Sequence, residues 1–408
     1  MRRTSLVFAL FWMAGSLGWP APETADSSGP LRITNGPYLQ EPSETGITVM
    51  WRTNKKCVSH VEYGTGESAP FVAFNSTHGL RDANTTMHKV HISGLKPGAA
   101  YRYRVVSKEI VSLQPYKVAY GETVKSADYQ FTTLNERKPA FSFIVLNDRH
   151  EKATTLTASL NSVRWDAVDL VFLNGDMVSD FQRESQILKG AIDPCVSSFA
   201  ARIPFVYIRG NHETRGAMAR MLMDYIAPKD QRYYYSFSHG PVHFVILDSG
   251  EDKEDTSKEY SGLVDFDRYR DAETAWLRQE VRSAAFRKAR FRVVFIHMPP
   301  NAESDWHGQQ EISKKWMPIL NAANIDLMIS AHTHRYGRSA PGKANNRFPI
   351  VIGGVNTTIR VDVSDRQLAC TVTGNKGRTT DQWIVAKRPR FPASLFSPFT
   401  RSRKESKK

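Results

Sequence analysis

Asp, Asn and His stand just after short apolar runs at five places in this 408-residue chain, the pattern in it most able to do chemistry. Asp148 and His150 follow the run 143–146, Asp176 follows 170–173, Asn211 and His212 follow 205–208, His297 follows 293–296, and His332 and His334 follow 327–329. Runs of that length made of Val, Ile, Leu and Phe read as strands buried on both faces. Their polar followers then lie at strand ends, and open α/β sheets bind ligands at the carboxyl ends of strands. Leaving His212 aside, seven nitrogen and oxygen donors can converge there. Seven exceeds the four that a structural zinc takes, and none of them is Cys. The set suits two ions sharing one carboxylate, and its mixture of carboxylate, imidazole and amide oxygen fits Mn, Fe or Zn. Two ions about 3.5–4 Å apart clamp a phosphate ester and generate a hydroxide between them, so the chemistry predicted is in-line phosphoester hydrolysis. A lone His after a strand is usually a cap or a hydrogen-bonded neighbour, and His60, His78, His88, His91, His239 and His243 are read that way.

Positioning such residues takes alternating strands and helices. From 141 to about 330 the apolar runs alternate with segments of helical spacing at 154–166, 183–200, 214–226, 271–288 and 311–323, the α/β signature. Segments 233–238 and 242–248 read as a hairpin, and 348–352, 361–365 and 368–373 as further strands, so residues 140–375 form two packed sheets flanked by helices. Ahead of them, short strands at 47–51, 59–63, 71–74, 88–92, 101–106 and 129–132 are separated by turn signals. That spacing predicts an all-β sandwich of the immunoglobulin or fibronectin type over residues 30–134, with Trp51 in its core. Polar residues 135–139 mark the boundary.

The motifs Asp148-x-His150, Gly175-Asp176, Gly210-Asn211-His212-Glu213, His297 and His332-x-His334 resemble those of the calcineurin-like metallophosphoesterases, which include the purple acid phosphatases. Gly36, Pro37, Tyr38, Leu39 and Gln40, with Gly94, Leu95, Pro97, Gly98 and Tyr101, look like the domain that purple acid phosphatases place ahead of the catalytic one. The resemblance implies a four-layer α-β-β-α catalytic domain. It also implies Asp148, His150, Asp176 and His334 on one metal and Asp176, Asn211, His297 and His332 on the other, with Asp176 bridging. A hydroxide between the metals would be the nucleophile, and His212 the acid that protonates the leaving oxygen. Ser179 stands where purple acid phosphatases have the tyrosinate that gives the colour, and His150 is absent from that group, so a colourless protein is expected. A phosphomonoesterase is favoured by the domain plan, with a phosphodiesterase of the same fold, or a non-catalytic exported binding protein, as alternatives. Trp306, His307, Arg335 and Tyr336, on loops near the motifs, are expected to touch the leaving group or phosphate.

Met1, Arg2 and Arg3 followed by an apolar run at 6–19 predict a secretory signal within residues 1–25 and a secreted or periplasmic protein, with no other stretch long enough to span a bilayer. The charge of +14 suits acidic partners, namely phosphorylated small or macromolecular substrates. No nucleic-acid module is recognisable, and the basic tail 387–408 is expected to be disordered. Cys57, Cys195 and Cys370 form no paired motif and are expected as buried thiols.

Overall fold

The computed structural model describes residues 28–66, 68–343, 345–374 and 377–387. The expected secretory signal and all but the first residue of the basic tail lie outside them.

The first domain holds β1 (Ile33–Gln40), β2 (Gly46–Gly64), β3 (Phe71–Ala73), β4 (Ser76–Thr77), β5 (Leu80–Arg81), β6 (Thr85–Ser93), β7 (Ala100–Gln114), β8 (Lys117–Lys125) and β9 (Tyr129–Thr132). Where separate strands were expected at 47–51 and 59–63, one strand of 19 residues runs through. Its first half pairs with β1 and β6, its second half with β3 and β7, and the register shifts between Arg52 and Cys57. Such an irregularity lets a strand pass from one layer to the other. Seven strands thus form one hydrogen-bonded sheet around a core that includes Val49, Trp51, Val61, Ile92, Tyr103 and Phe131. Trp51 is fully buried, and its indole nitrogen donates to Ser107 Oγ at 2.9 Å.

The second domain holds β10 (Phe141–Leu146), β11 (Val168–Asn174), β12 (Phe205–Ile208), β13 (Tyr235–His239), β14 (Val242–Ile246), β15 (Phe291–Phe295), β16 (Leu327–Ser330), β17 (Gly337–Ser339), β18 (Ile350–Ile352), β19 (Thr357–Val363), β20 (Gln367–Gly374) and β21 (Thr379–Ala386). They make two six-stranded sheets, ordered β12-β11-β10-β19-β20-β21 and β13-β14-β15-β16-β18-β17. Alternation of side chains explains the packing. Phe143, Val145, Leu170 and Phe172 meet Phe244, Ile246, Val293 and Phe295 between the sheets. The Phe172 and Phe295 rings stack with centroids 4.1 Å apart. Ile144, Leu146, Val171 and Leu173 face the other way, toward Leu156, Ile187 and Phe199 of the helices Ala153–Asn161 and 184–200. Val294, Ile296 and Met328 do the same on the second sheet, against Leu277, Ile312 and Trp316 from Phe266–Glu280, His307–Lys315 and the residue that follows it. Burial on both strand faces is why these runs are apolar throughout, and the result is the four layers expected.

Several helical expectations need correction: 154–166 shortens to Ala153–Asn161, and 311–323 divides into His307–Lys315 and Met317–Ala322. No continuous helix forms at 214–226, only the short turns His212–Thr214, Ala219–Met221 and Leu222–Tyr225. Gly216 adopts φ +105° there, and a side chain on it would meet the Phe181 backbone. The segment is laced instead to Phe181, whose N–H donates to Arg215 O at 2.7 Å and whose carbonyl accepts from Met218 N at 2.8 Å. The stretch 271–288 divides into Phe266–Glu280 and Ala284–Lys288, because the Ser283 side chain caps the second piece by accepting from Phe286 N.

The domains share apolar packing, with Tyr38 and Met50 of the first joining the helix-side core of the second. Tyr38 OH donates to Tyr225 O at 2.8 Å, Tyr103 OH to Ala201 O at 2.8 Å, and Arg52 pairs with Glu184 at 2.7 Å. All three cysteines are buried free thiols.

Candidate metal centre

Strands β10, β11 and β12 run parallel in one sheet and β14, β15 and β16 in the other, so the loops after them leave from carboxyl ends. Backbone hydrogen bonds zip these loops together. Asp148 N donates to Gly175 O and His150 N to Asp176 O, both at 3.0 Å, while Ala331 N donates to His297 O at 2.8 Å. Other bonds cross between the sheets, among them His332 N donating to Asp148 Oδ2 at 3.1 Å and, second, His297 Nδ1 donating to Asn174 O at 2.7 Å. Gly175, at φ +81°, is required by this second crossing, because a Cβ there would run into the His297 ring. Asp148, His150, Asp176, His332 and His334 all take positive φ, between 45° and 72°. Five non-glycine residues in that region concentrate backbone strain at one spot, as functional sites do.

Two groups of ligand atoms result, each lying within 4.8 Å of one another: Asp148, His150, Asp176 and His334, and Asp176, His297 and His332. Asp176 belongs to both. Asn211 joins the second, its Oδ1 lying 3.0 Å from His332 Nδ1. The seven donors singled out in the sequence therefore stand together. Asp148 Oδ2 accepts from Asn147 Nδ2 at 2.6 Å and from His332 N, and Asp176 Oδ1 accepts from His212 N at 3.0 Å. Asp148 Oδ1, Asp176 Oδ2 and His297 Nε2 are buried without a hydrogen-bond partner. Asp176 Oδ2 and His297 Nε2 face each other at 3.0 Å and Asp148 Oδ1 has His334 Nε2 at 3.5 Å, so apart from these ring nitrogens the buried carboxylate oxygens are left for a cation to satisfy.

The electrostatics point the same way. Burial pushes the imidazoles of His150 and His332 down, to about 4 and about 3, so both stay neutral and offer a lone pair. Burial also lowers His297, but the Asp176 carboxylate 3.0 Å away outweighs it and lifts the ring to about 10. Asp176 itself is held below the usual carboxylate range, the His297 charge overcoming its burial. His297 is thus a cation paired with an ionised Asp176, whereas His150 and His332 are neutral donors.

One supporting residue carries no signal of its own role in the sequence. The Glu213 carboxylate is fully buried and accepts from Asp176 N at 2.9 Å, Met177 N at 2.7 Å, Gly210 N at 2.8 Å and Tyr207 OH at 2.8 Å. It fixes the Asp176 turn against the Asn211 turn. Buried Arg149 likewise donates to Val355 O and Thr357 O, tying the first loop to β19.

His212 lies beside the cage, with Nε2 3.9 Å from Asp176 Oδ2 and its ring centroid 4.8 Å from that of His150. Its Nδ1 donates to Ser179 O at 2.6 Å, so a backbone carbonyl orients this ring. Two of the four residues expected to touch substrate are engaged elsewhere. His307 holds both Asp267 carboxylate oxygens at 2.9 and 3.0 Å at the start of its helix, and Tyr336 OH donates to Asp381 at 2.7 Å. Trp306 is 45% exposed with the Lys253 ammonium 5.1 Å from its ring centre, and Arg335 is exposed.

A two-sheet α/β domain with Asp, Asn and His gathered from strand ends of both sheets defines a metallophosphoesterase. Residues 141–336 match the family described as calcineurin-like phosphoesterase, and residues 37–133 match the purple acid phosphatase N-terminal domain. The chain belongs to the calcineurin-like phosphoesterases that carry this N-terminal domain. It is 25% identical to purple acid phosphatase 21 of Arabidopsis thaliana over 69% of its length, spanning 61% of that relative. It is 24% identical to the human acid phosphatase type 7, covering 82% of this chain and 75% of that protein. In fold it is similar to a purple acid phosphatase from yellow lupin (Lupinus luteus) seeds, with a TM-score of 0.64, 14% identity, and coverage of 87% of this chain and 74% of that one.

Proposed function

We propose that the chain is a two-metal phosphoester hydrolase acting on phosphomonoesters, exported by its amino-terminal segment. The observation that carries this reading is the convergence of two groups of buried carboxylate and imidazole atoms, each within 4.8 Å of one another, that share Asp176. Asp148, His150, Asp176 and His334 would hold one ion, and Asp176, Asn211, His297 and His332 the other, as carboxylate, imidazole and amide donors suit Mn, Fe or Zn. When bound, such a pair supplies a nucleophile at neutral pH and charge to balance a phosphoryl group. The chain's own part is positional. Glu213, Asn147 and the backbone N–H groups of His212 and His332 fix the carboxylates, and Asn174 O sets the tautomer of His297. His212, oriented by Ser179 O, stands where a proton could pass to the leaving oxygen. The domain plan shared with acid phosphatases favours a monoester over a diester. Among the described residues no helix is long and apolar enough to cross a membrane.

The test is hydrolysis of p-nitrophenyl phosphate and of its bis ester by metal-loaded protein, before and after chelation. Cleavage of the monoester that is lost on chelation and restored by Mn, Fe or Zn is expected. Turnover by metal-stripped protein would refute the reading, and preference for the bis ester would move it to a phosphodiesterase. With Ser179 in place of a tyrosinate, no visible absorption band is expected.

A further inference from the structure

The Arg215 guanidinium is clamped at the rim of the cage. Its Nε and Nη2 meet both oxygens of Glu251 at 2.7 and 2.9 Å, a bidentate fork, and Nη2 lies 3.5 Å from Asp252. Glu251 is 1% exposed and is itself held by Thr214 Oγ1 at 2.8 Å and Tyr260 OH at 2.9 Å. The arginine keeps 30% of its side chain open to solvent, and its Nη1 lies 3.3 Å from His212 Nε2, the atom that borders Asp176. A planar cation pinned on one edge by a buried carboxylate, with its other edge turned toward a phosphoester site, is preorganised to receive a phosphate oxygen. The loop that carries it is fixed as well, by the bonds between Phe181 and residues 215 and 218.

We propose that Arg215 is a substrate-binding residue that holds a non-bridging phosphoryl oxygen and selects dianionic phosphomonoesters over monoanionic diesters. This rests on the phosphoesterase reading and adds to it a chosen substrate charge. A diester offers one negative charge fewer and a second organic group at the same face, so it gains less from the guanidinium.

Binding of inorganic phosphate to metal-loaded wild type, Arg215→Met and Arg215→Lys, measured by calorimetry, tests the claim without turnover. Arg215→Met is expected to weaken orthophosphate by roughly 10- to 100-fold, the usual worth of a hydrogen bond to a charged group. Arg215→Lys should fall between the two, because a point charge cannot fork to Glu251 and reach the oxygen together. In parallel, kcat/KM for p-nitrophenyl phosphate should drop at least tenfold more than for the bis ester. Unchanged phosphate affinity in a variant that keeps its metals and thermal midpoint, or equal losses on both esters, would overturn the proposal. If Arg215→Met does not fold, Arg215→Lys carries the same comparison. Phosphate binding that depends on Arg215 in a protein that cleaves neither ester would uphold this inference while refuting the hydrolase.

Discussion

Glu213 decides whether Asp176 and Asn211 keep their places, because one buried carboxylate receives the N–H groups of Gly210, Asp176 and Met177 together. Glu213→Gln puts an amide donor against those donors. A loss of about 1–3 kcal/mol in denaturant titration, with weaker metal retention, is expected. A second residue-scale prediction follows from His297. Lifted to about 10 by Asp176, its ring carries a proton at pH 7 in the cation-free protein. A cation taken by Nε2 must displace it, so metal uptake at pH 7 should release at least one proton per chain. Proton release should shrink as pH rises through 10. A pH-stat titration measures it, and uptake without release at pH 7 would contradict the assignment of His297. His150 and His332, already neutral, contribute nothing to this count.

At the scale of elements, two substitutions separate core from loop. Phe172→Ala removes the ring stacked on Phe295 between the sheets and should cost about 3–5 kcal/mol of global stability. Gly216→Val forces a branched side chain into φ +105° against the Phe181 backbone. It should lower ester hydrolysis, because the loop it breaks carries His212 and Arg215. The same contrast explains what the sequence made legible. Strands β10, β11, β14 and β15 are apolar on both faces and were readable as runs. The polar motifs directly after β10, β11, β12, β15 and β16 gave all seven cage donors. The loop 214–226 has helical spacing in Leu222, Tyr225 and Ile226, but Gly216 and the tie to Phe181 override it. Strands β8 and β21 went unread because they lie mostly exposed, and β2 was divided because its irregularity near Cys57 resembles a turn. His307 was read as a substrate contact because its loop follows His297. Nothing local announces Asp267, forty residues earlier, as its partner.

For the whole molecule, the first domain lends Tyr38 and Met50 to the core beneath the sheet that carries Asp148 and Asp176. Stability of the centre should therefore depend on the domain contact, and thermal unfolding should occur as one transition rather than two. Calorimetry of wild type and Tyr38→Ala checks this, with a lower midpoint expected for the variant. The central claim is that side chains from both sheets form one cage for two cations around a shared Asp176. Elemental analysis of purified wild type and Asp176→Asn tests it most directly. About two metal ions per chain are expected for wild type and fewer than one for the variant, since the shared carboxylate serves both positions. One ion or none in wild type, or full occupancy retained by Asp176→Asn, would contradict it.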